Sequence, residues 1–278
     1  MSNMSTHEYV TADNRHVTEI HFYPYFPPEV QVKRVLDTGA GAWIGETDDT
    51  TVYRYPKIPG EHIERLEAER KLLEIVGAHE RIIGLKGFTD TGLYLERAAN
   101  GDVLQYMIVL EQPVSAKQRL TWCREAAEAV AWIHSRCVLD CDINPGNLLL
   151  DDHFHIKLAD FQRKHLSEEG ESLVGGWSSE PARYKYPRED IDDANTKTDM
   201  FALGSTIYFI INGHNAYPDI PEKDRNNAEK VEARFTSPQF PQDEHVCSAI
   251  TRKCWQQDME YESADEIVRD LEYLERES

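Results

Sequence analysis

The stretch Val138-Leu139-Asp140-Cys141-Asp142-Ile143-Asn144-Pro145-Gly146-Asn147-Leu148-Leu149-Leu150 decides how this chain is read. After five intervening residues comes Ile156-Lys157-Leu158-Ala159-Asp160-Phe161. The two apolar runs are spaced as the strands of a short β-hairpin. Asp142 and Asn147 stand in the loop that leads into it, and Asp160 follows directly after it. Singly, Asp142 or Asn147 reads as a turn residue, because short Asp and Asn side chains bond their own backbone. Together with Asp160 they bring three oxygen-bearing side chains to one site.

Upstream, residues 1–30 are polar and then rich in aromatics and proline, as in His21-Phe22-Tyr23-Pro24-Tyr25-Phe26-Pro27-Pro28. They read as an extension. From Val30 to Leu95 the pattern favours strands with one helix. Val30-Gln31-Val32 opens a strand, Thr51-Val52-Tyr53-Arg54-Tyr55 forms another that ends at Pro56, and Gly92 to Glu96 a third. Leu66, Leu72, Leu73 and Val76 recur at helical spacing within 61–76. From Gly101 onward the chain is mostly helical. Ser115 and Gln118 read as a capping box. Asp199 to Asn212 is apolar nearly all round, the mark of a buried helix, and Gly213 stops it. Ser263 and Glu266 open a last helix with Ile267, Leu271 and Leu274 inward. A small strand-rich lobe therefore precedes a larger helical one.

Composition bounds the rest. The 278 residues are 40% hydrophobic and 29% charged, enough to bury a core and unlike collagen or a disordered chain. No apolar run is long enough for a membrane-spanning helix, and Met1 to Thr11 lacks the apolar region of a secretory signal. Five cysteines without CxxC spacing argue against a disulfide framework or zinc site and for a reducing compartment. Thirty basic against fifty acidic residues leave a net charge of −20. Such a chain repels nucleic acid and anionic membrane and favours basic peptide partners, although solubility accounts for the charge equally well.

Here the chain resembles the protein kinase family. Asp142 and Asn147 match the family's D-x-x-x-x-N loop, and Asp160-Phe161 matches the start of D-F-G. Asp199 to Gly204 resembles the buried D-x-W-S-x-G helix start, and Cys254-Trp255 the C-W pair near the end of the domain. The resemblance covers about Val30 to Leu274. It implies an α+β, bilobal fold: an extension over 1–29, then a kinase-like domain over 30–278 divided near 97/98. It implies phosphoryl transfer from ATP with Mg²⁺. Asp142 would be the base, and Asn147 and Asp160 the metal ligands. Gly39 and Gly41 would lie in the Gly-rich loop, Val52 over adenine, and Arg54 at the place of the family's phosphate-binding lysine. Glu69, on the apolar face of its helix, would be the partner of Arg54. Glu96 and Ala98 would offer backbone groups to adenine, Leu95 would be the gatekeeper, and Leu149 would pack on the adenine face. Lys57, three residues beyond Arg54, points to the opposite face of its strand.

The pattern also breaks. Arg54 replaces lysine, and its planar fork is no compact charge. Ile44 takes the place of the third loop glycine, with Gly45 one residue late. Gln162 replaces the glycine after Asp160-Phe161. Asp140-Cys141 replaces His-Arg, which removes the usual partner of an activation-segment phosphate. Asn144 replaces the lysine two beyond the base, and Val52 replaces a small alanine. In the family an A-P-E glutamate pairs with a later arginine. Here Tyr186-Pro187-Arg188 and Glu262 suggest the same bridge with charges exchanged. Residues 162–186, with Ser167, Ser172, Ser178, Ser179, Gly170, Gly175 and Gly176, read as a mobile loop open to phosphorylation or peptide docking. His134 reads as a helix-end residue and His153 as a loop residue, without a metal-ligand arrangement.

Two functions follow from the resemblance. One is a protein Ser/Thr kinase of reduced activity. The other is a pseudokinase that binds nucleotide weakly or acts as a scaffold. A third, less favoured, is a small-molecule phosphotransferase with a kinase-like core; the Asp199–Gly204 helix, Cys254-Trp255 and the long activation segment argue against it. The expected partners are ATP and a protein substrate or binding partner, not nucleic acid or membrane. The expected location is the cytoplasm, with the nucleus left open. The sequence is silent on oligomeric state.

Overall fold

The computed structural model describes residues 4–10, 16–39, 41–161, 164–167, 171–175, 180–190, 192–237 and 239–277. In chain order the strands and helices begin with β1 (Met4–Val10), β2 (His16–Phe22), β3 (Arg34–Thr38), β4 (Ala42–Glu46), β5 (Thr51–Pro56), α1 (Ile63–Val76), β6 (Leu85–Thr89) and β7 (Gly92–Glu96). A π-helical turn, Gln105–Val109, then precedes α2 (Ala116–His134), β8 (Val138–Leu139), β9 (Leu148–Leu150), β10 (Ile156–Leu158), β11 (Lys164–Leu166) and β12 (Ser172–Val174). The chain ends with α3 (Thr196–Asn212), α4 (Asn227–Thr236), α5 (Ser248–Trp255) and α6 (Ala264–Glu277). These elements divide into two compact units, one of residues 1–70 and 84–97, the other of residues 71–83 and 98–278. The fold is α+β, with the strand-rich part first.

The first unit is built on a five-stranded antiparallel sheet of order β3-β4-β5-β7-β6. All six residues of β5 are buried, so this strand is covered on both faces. Side chains alternate along it. Tyr53 and Tyr55 join Val30 and Trp43 in one cluster, against which Phe22, Tyr25, Val32, Val35 and Tyr94 pack. Val52 and Arg54, of opposite parity, take the other face. The strand expected to open at Val30 begins instead at Arg34. The Val32 amide bonds back to the Val30 carbonyl at 2.9 Å, a tight local turn that aims Val30 into the core. The β1-β2 ribbon was not foreseen. It pairs in register from Met4↔Phe22 to Val10↔His16, and residues 5–10 and 16–22 are exposed or half-buried, so neither strand shows the apolar alternation that marks a covered face.

The second unit is helical. Ser115 caps α2 by accepting the Gln118 amide. The Gln118 side chain does not close the box; it donates to the Phe154 carbonyl at 3.4 Å. Helix α3 is buried nearly throughout and stops at Gly213, whose φ of 78° is left-handed. Its N-cap is Asn195, with Thr198 completing a capping box, so Asp199 is not the cap. Helices α3 and α5 approach closely at Gly204. A Cβ there would lie 2.4 Å from the Cβ of Cys254, and Trp255 donates to Ser205 Oγ at 2.9 Å. Cys254-Trp255 is thus core, as read from the sequence. Strands β9 and β10 form the expected hairpin, Leu148↔Leu158 to Leu150↔Ile156. The segment expected to be a mobile loop carries two strands instead: β11 pairs with β8 on one side and with β12 on the other. Gln162, Ser178, Ser179, Gly170 and Gly176, named above, lie outside the described residues.

Candidate active site

The loop between β8 and β9 hangs from α3. Asp199, fully buried, accepts the amides of Asp140 at 3.0 Å and Cys141 at 2.7 Å. It also meets His134 Nε2, at the end of α2, at 2.9 Å. Thr206 Oγ1, two turns along α3, donates to the Ile143 carbonyl. These bonds hold Cys141 at a φ of 56°, in the left-handed region that a β-carbon resists. Asp160 is held at 66°, and Phe161 behind it is completely buried. Strain of this kind persists only where the surroundings over-determine it, and it concentrates at working sites.

Asp142 is held at both carboxylate oxygens. Asn144 Nδ2 donates to its Oδ1 at 2.9 Å, and Asn147 Nδ2 to its Oδ2 at 3.1 Å. Both amides also bond the Asp142 carbonyl. Asn144 is itself fixed, since its Oδ1 accepts the Gly146 amide at 2.9 Å. The Asn147 carbonyl accepts the Ala159 amide, which ties the loop to the residue before Asp160. Burial is the main force pushing the Asp142 carboxyl up to about 7; the amides of Asn147 and Asn144 oppose it, and the charges of Asp160 and Glu180 add to it. Asp140, deeper still, is raised well above the carboxylate range by burial and then by Asp199, Asp142 and Asp160. Its Oδ2 has no hydrogen-bond partner among the described residues.

This donor set fits a hard divalent cation. Asp160 brings a carboxylate into a pocket of negative charge, and the Asn147 amide turns its nitrogen to Asp142, which leaves Oδ1 for a metal.

In the first unit, Arg54 Nε lies 3.1 Å from Glu69 Oε2, with 9% and 1% of the two side chains exposed. The pair that the resemblance implied, with Glu69 on the inward face of its helix, is present. Lys57 takes the other face, 5.6 Å from the Trp43 ring and 5.9 Å from that of Phe22. Gly41 turns at a φ of 87°, and a Cβ on Gly39 would meet nothing within 4 Å. Gly45 belongs to packing, since its Cβ would strike Val32 at 2.5 Å. Val52 and Leu95 are buried. The Glu96 carboxylate accepts the Gly84 amide, and the Glu96 amide donates to the Gly84 carbonyl at 2.7 Å. Ala98 and Leu149 belong to the second unit. Leu149 is half-buried in β9, opposite Lys157 and bridged to Asp102.

Three readings are corrected. Arg188 does not meet Glu262. Its guanidinium forks onto Glu180, Nη1 to Oε2 at 2.8 Å and Nη2 to Oε1 at 2.7 Å. Glu262 is exposed, and its amide donates to Glu266 at the start of α6. The nearer carboxylate wins because it is buried beside the arginine, whereas Glu262 is solvated. His134 is more than a helix end, given its bond to Asp199. His153 does sit with Asp151 and Asp152 in a cluster whose ligand atoms lie within 4.8 Å of one another. Asp151 is already used there, accepting the amides of His153 and His155 as a turn does. Sequence reasoning missed Glu180 and the orienting role of Asn144. The Asn-Pro-Gly turn was the only available signal for Asn144.

The second unit thus combines a loop pinned from a buried helix, a carboxylate held by two amides and an acidic residue strained into place. The family model for the protein kinase domain matches residues 52–270, so the chain belongs to the protein kinase family. It is 30% identical over 147 residues to chitin elicitor receptor kinase 1 of Physcomitrium patens, an alignment of 49% of this chain and 22% of the other. It is 27% identical over 179 residues to a receptor-like protein kinase of Arabidopsis thaliana, covering 60% and 20%. It is 25% identical over 201 residues to the serine/threonine-protein kinase SIK1 of Mus musculus, covering 71% and 25%. The chain thus spans about a fifth to a quarter of the length of these relatives. Among the described residues no helix is long and apolar enough to cross a membrane.

Proposed function

We propose that this domain binds ATP with Mg²⁺ and transfers the γ-phosphate to a serine or threonine hydroxyl of a protein, at a reduced rate. The observation that carries this reading is the double restraint on Asp142. A base must point at one hydroxyl, and amides on both oxygens hold it there. The substrate oxygen attacks the γ-phosphorus, its proton passes to an Asp142 oxygen, the bond to the β-phosphate oxygen breaks, and ADP leaves. Asn147 and Asp160 are the residues that would hold Mg²⁺, which when bound neutralises charge on the phosphates. Asn144 orients the base with an uncharged amide, so no lysine at that position adds positive charge to the transferring group. That loss, with Arg54 in place of lysine, is the reason for a reduced rate. The net charge of −20 supports a basic peptide as substrate or partner. The five free cysteines support a reducing compartment, the cytoplasm.

A second reading, a nucleotide-binding regulatory module without transfer, is favoured by the commitment of Arg54 to Glu69 inside a fully buried strand. Thermal unfolding with millimolar ATP, with and without Mg²⁺, tests both. A ligand at 100 times its dissociation constant stabilises by about 2.7 kcal/mol. We expect a Mg²⁺-dependent rise in Tm that is lost in Asp160→Asn, and transfer to a basic peptide that is lost in Asp142→Asn. A rise without transfer supports the module, and no rise removes the nucleotide site.

A further inference from the structure

The segment that ends at Arg188 has a fastening of its own. Family resemblance would have it held by an arginine beside the base, gripping a phosphate. That position is Cys141, which is buried and carries no cation. The cation comes from the other side. Arg188 forms two parallel hydrogen bonds to Glu180, and only 6% and 1% of the two side chains are exposed. Arg188 Nη1 also donates to the Tyr186 carbonyl at 3.2 Å, and the guanidinium lies within electrostatic reach of Cys141 and Asp193. Glu180 in turn lies within electrostatic reach of Asp142.

We propose that Arg188 and Glu180 are a positioning pair, a clamp internal to the chain that holds residues 180–188 against the loop carrying Asp142 and needs no phosphate on the segment. A fork-to-fork pair fixes orientation as well as distance, which a single point contact does not. Burial makes the pair mutually dependent. Either charge left alone in that site is destabilising, whereas loss of both together is tolerated better. Both side chains are encoded in the sequence and neither is added by modification, so the clamp is closed whenever the segment is folded. The clamp itself is independent of any transfer reaction; only its effect on rate rests on the function proposed above.

The test is amide hydrogen exchange on the full chain, read at residues 140–143 and 180–188. Wild type is compared before and after phosphatase, and with Glu180→Gln, Arg188→Gln, Glu180→Asp and the double variant Glu180→Gln/Arg188→Met. We expect phosphatase to change nothing. Each single neutral variant should exchange at least ten times faster at both stretches, the double variant less than either, and Glu180→Asp should stay near wild type. If the single variants fail to fold, the double variant decides. Faster exchange at 140–143 supports the clamp, and wild-type protection there overturns it. Faster exchange confined to 180–188, or loosening of the wild type by phosphatase, also overturns it. Where transfer is measurable, Glu180→Gln should lower kcat tenfold or more with KM for ATP unchanged, and Glu180→Asp should restore it. Absence of transfer in the wild type sinks the proposed function and leaves the exchange result standing.

Discussion

In the reaction proposed above, Asp142 is under two opposed demands, because a proton acceptor must be ionised to act and burial favours the neutral acid. Its carboxyl is pushed up to about 7, burial being the first cause, from an ordinary value of 3.8. The folded chain therefore keeps a proton between about pH 4 and 7 that the unfolded chain has lost. Stability from this group is full below pH 4 and is lost as the pH rises through 7. Asp142→Asn removes that dependence. In buffer free of nucleotide and divalent cation, the stability of Asp142→Asn relative to wild type should rise with pH across this window, by at most about 1.4 kcal/mol per pH unit. Urea midpoints at pH 4.5, 6 and 8 check it; a flat difference would mean that the carboxylate is fully solvated, and a falling one that the amides outweigh burial. The same scale shows how far single residues were readable. The resemblance placed Arg54 opposite Glu69, the helix face turned Glu69 inward, and parity along β5 set Lys57 aside, because side chains alternate along a strand. The partner of Arg188 was not readable, because nothing local chooses between a carboxylate eight residues back and one much further on.

Among the elements, α3 does most to position the candidate site, since it supplies Asp199 and Thr206 to the loop that carries Asp142 while packing on α5 behind it. That packing depends on Gly204. An added methyl would lie 2.4 Å from the Cys254 Cβ, with the Cys254 sulfur at 3.3 Å. Gly204→Ala must therefore push α5 away or shift α3, and overpacking of this kind costs about 1–3 kcal/mol. The strain should be felt at Asp199 as well, five residues along the same rigid helix. Guanidinium unfolding and amide exchange at Asp140 and Cys141 read the two effects; an unchanged midpoint would show that the helices yield freely. Helix α3 was legible because a long apolar run ended by Gly213 has few other readings. Strands β11 and β12 were not, because each is only three residues long and their pairing with β8 is nonlocal. The β1-β2 ribbon escaped for a related reason: residues 5–10 and 16–22 are exposed or half-buried and leave no apolar alternation to read.

For the whole molecule, the imbalance of fifty acidic to thirty basic residues acts on stability as well as on partners. Local ion pairs such as Arg34–Glu46 and Arg234–Asp219 offset only part of it. The remaining repulsion among carboxylates is greatest in the compact state and is screened over about 10 Å at 0.1 M salt. Salt weakens exposed ion pairs too, but these are worth little individually. Tm at pH 7 should therefore rise between 20 and 300 mM sodium chloride, whereas a fall would show that ion-pair networks outweigh repulsion. A basic peptide provides the second arm. If the acidic field recruits it, its affinity should drop steeply over the same range while the chain itself grows more stable. Opposite responses from one titration would separate long-range attraction from any general loosening of the fold. Affinity that ignores salt would assign recognition to close contacts and leave the charge a role in solubility alone.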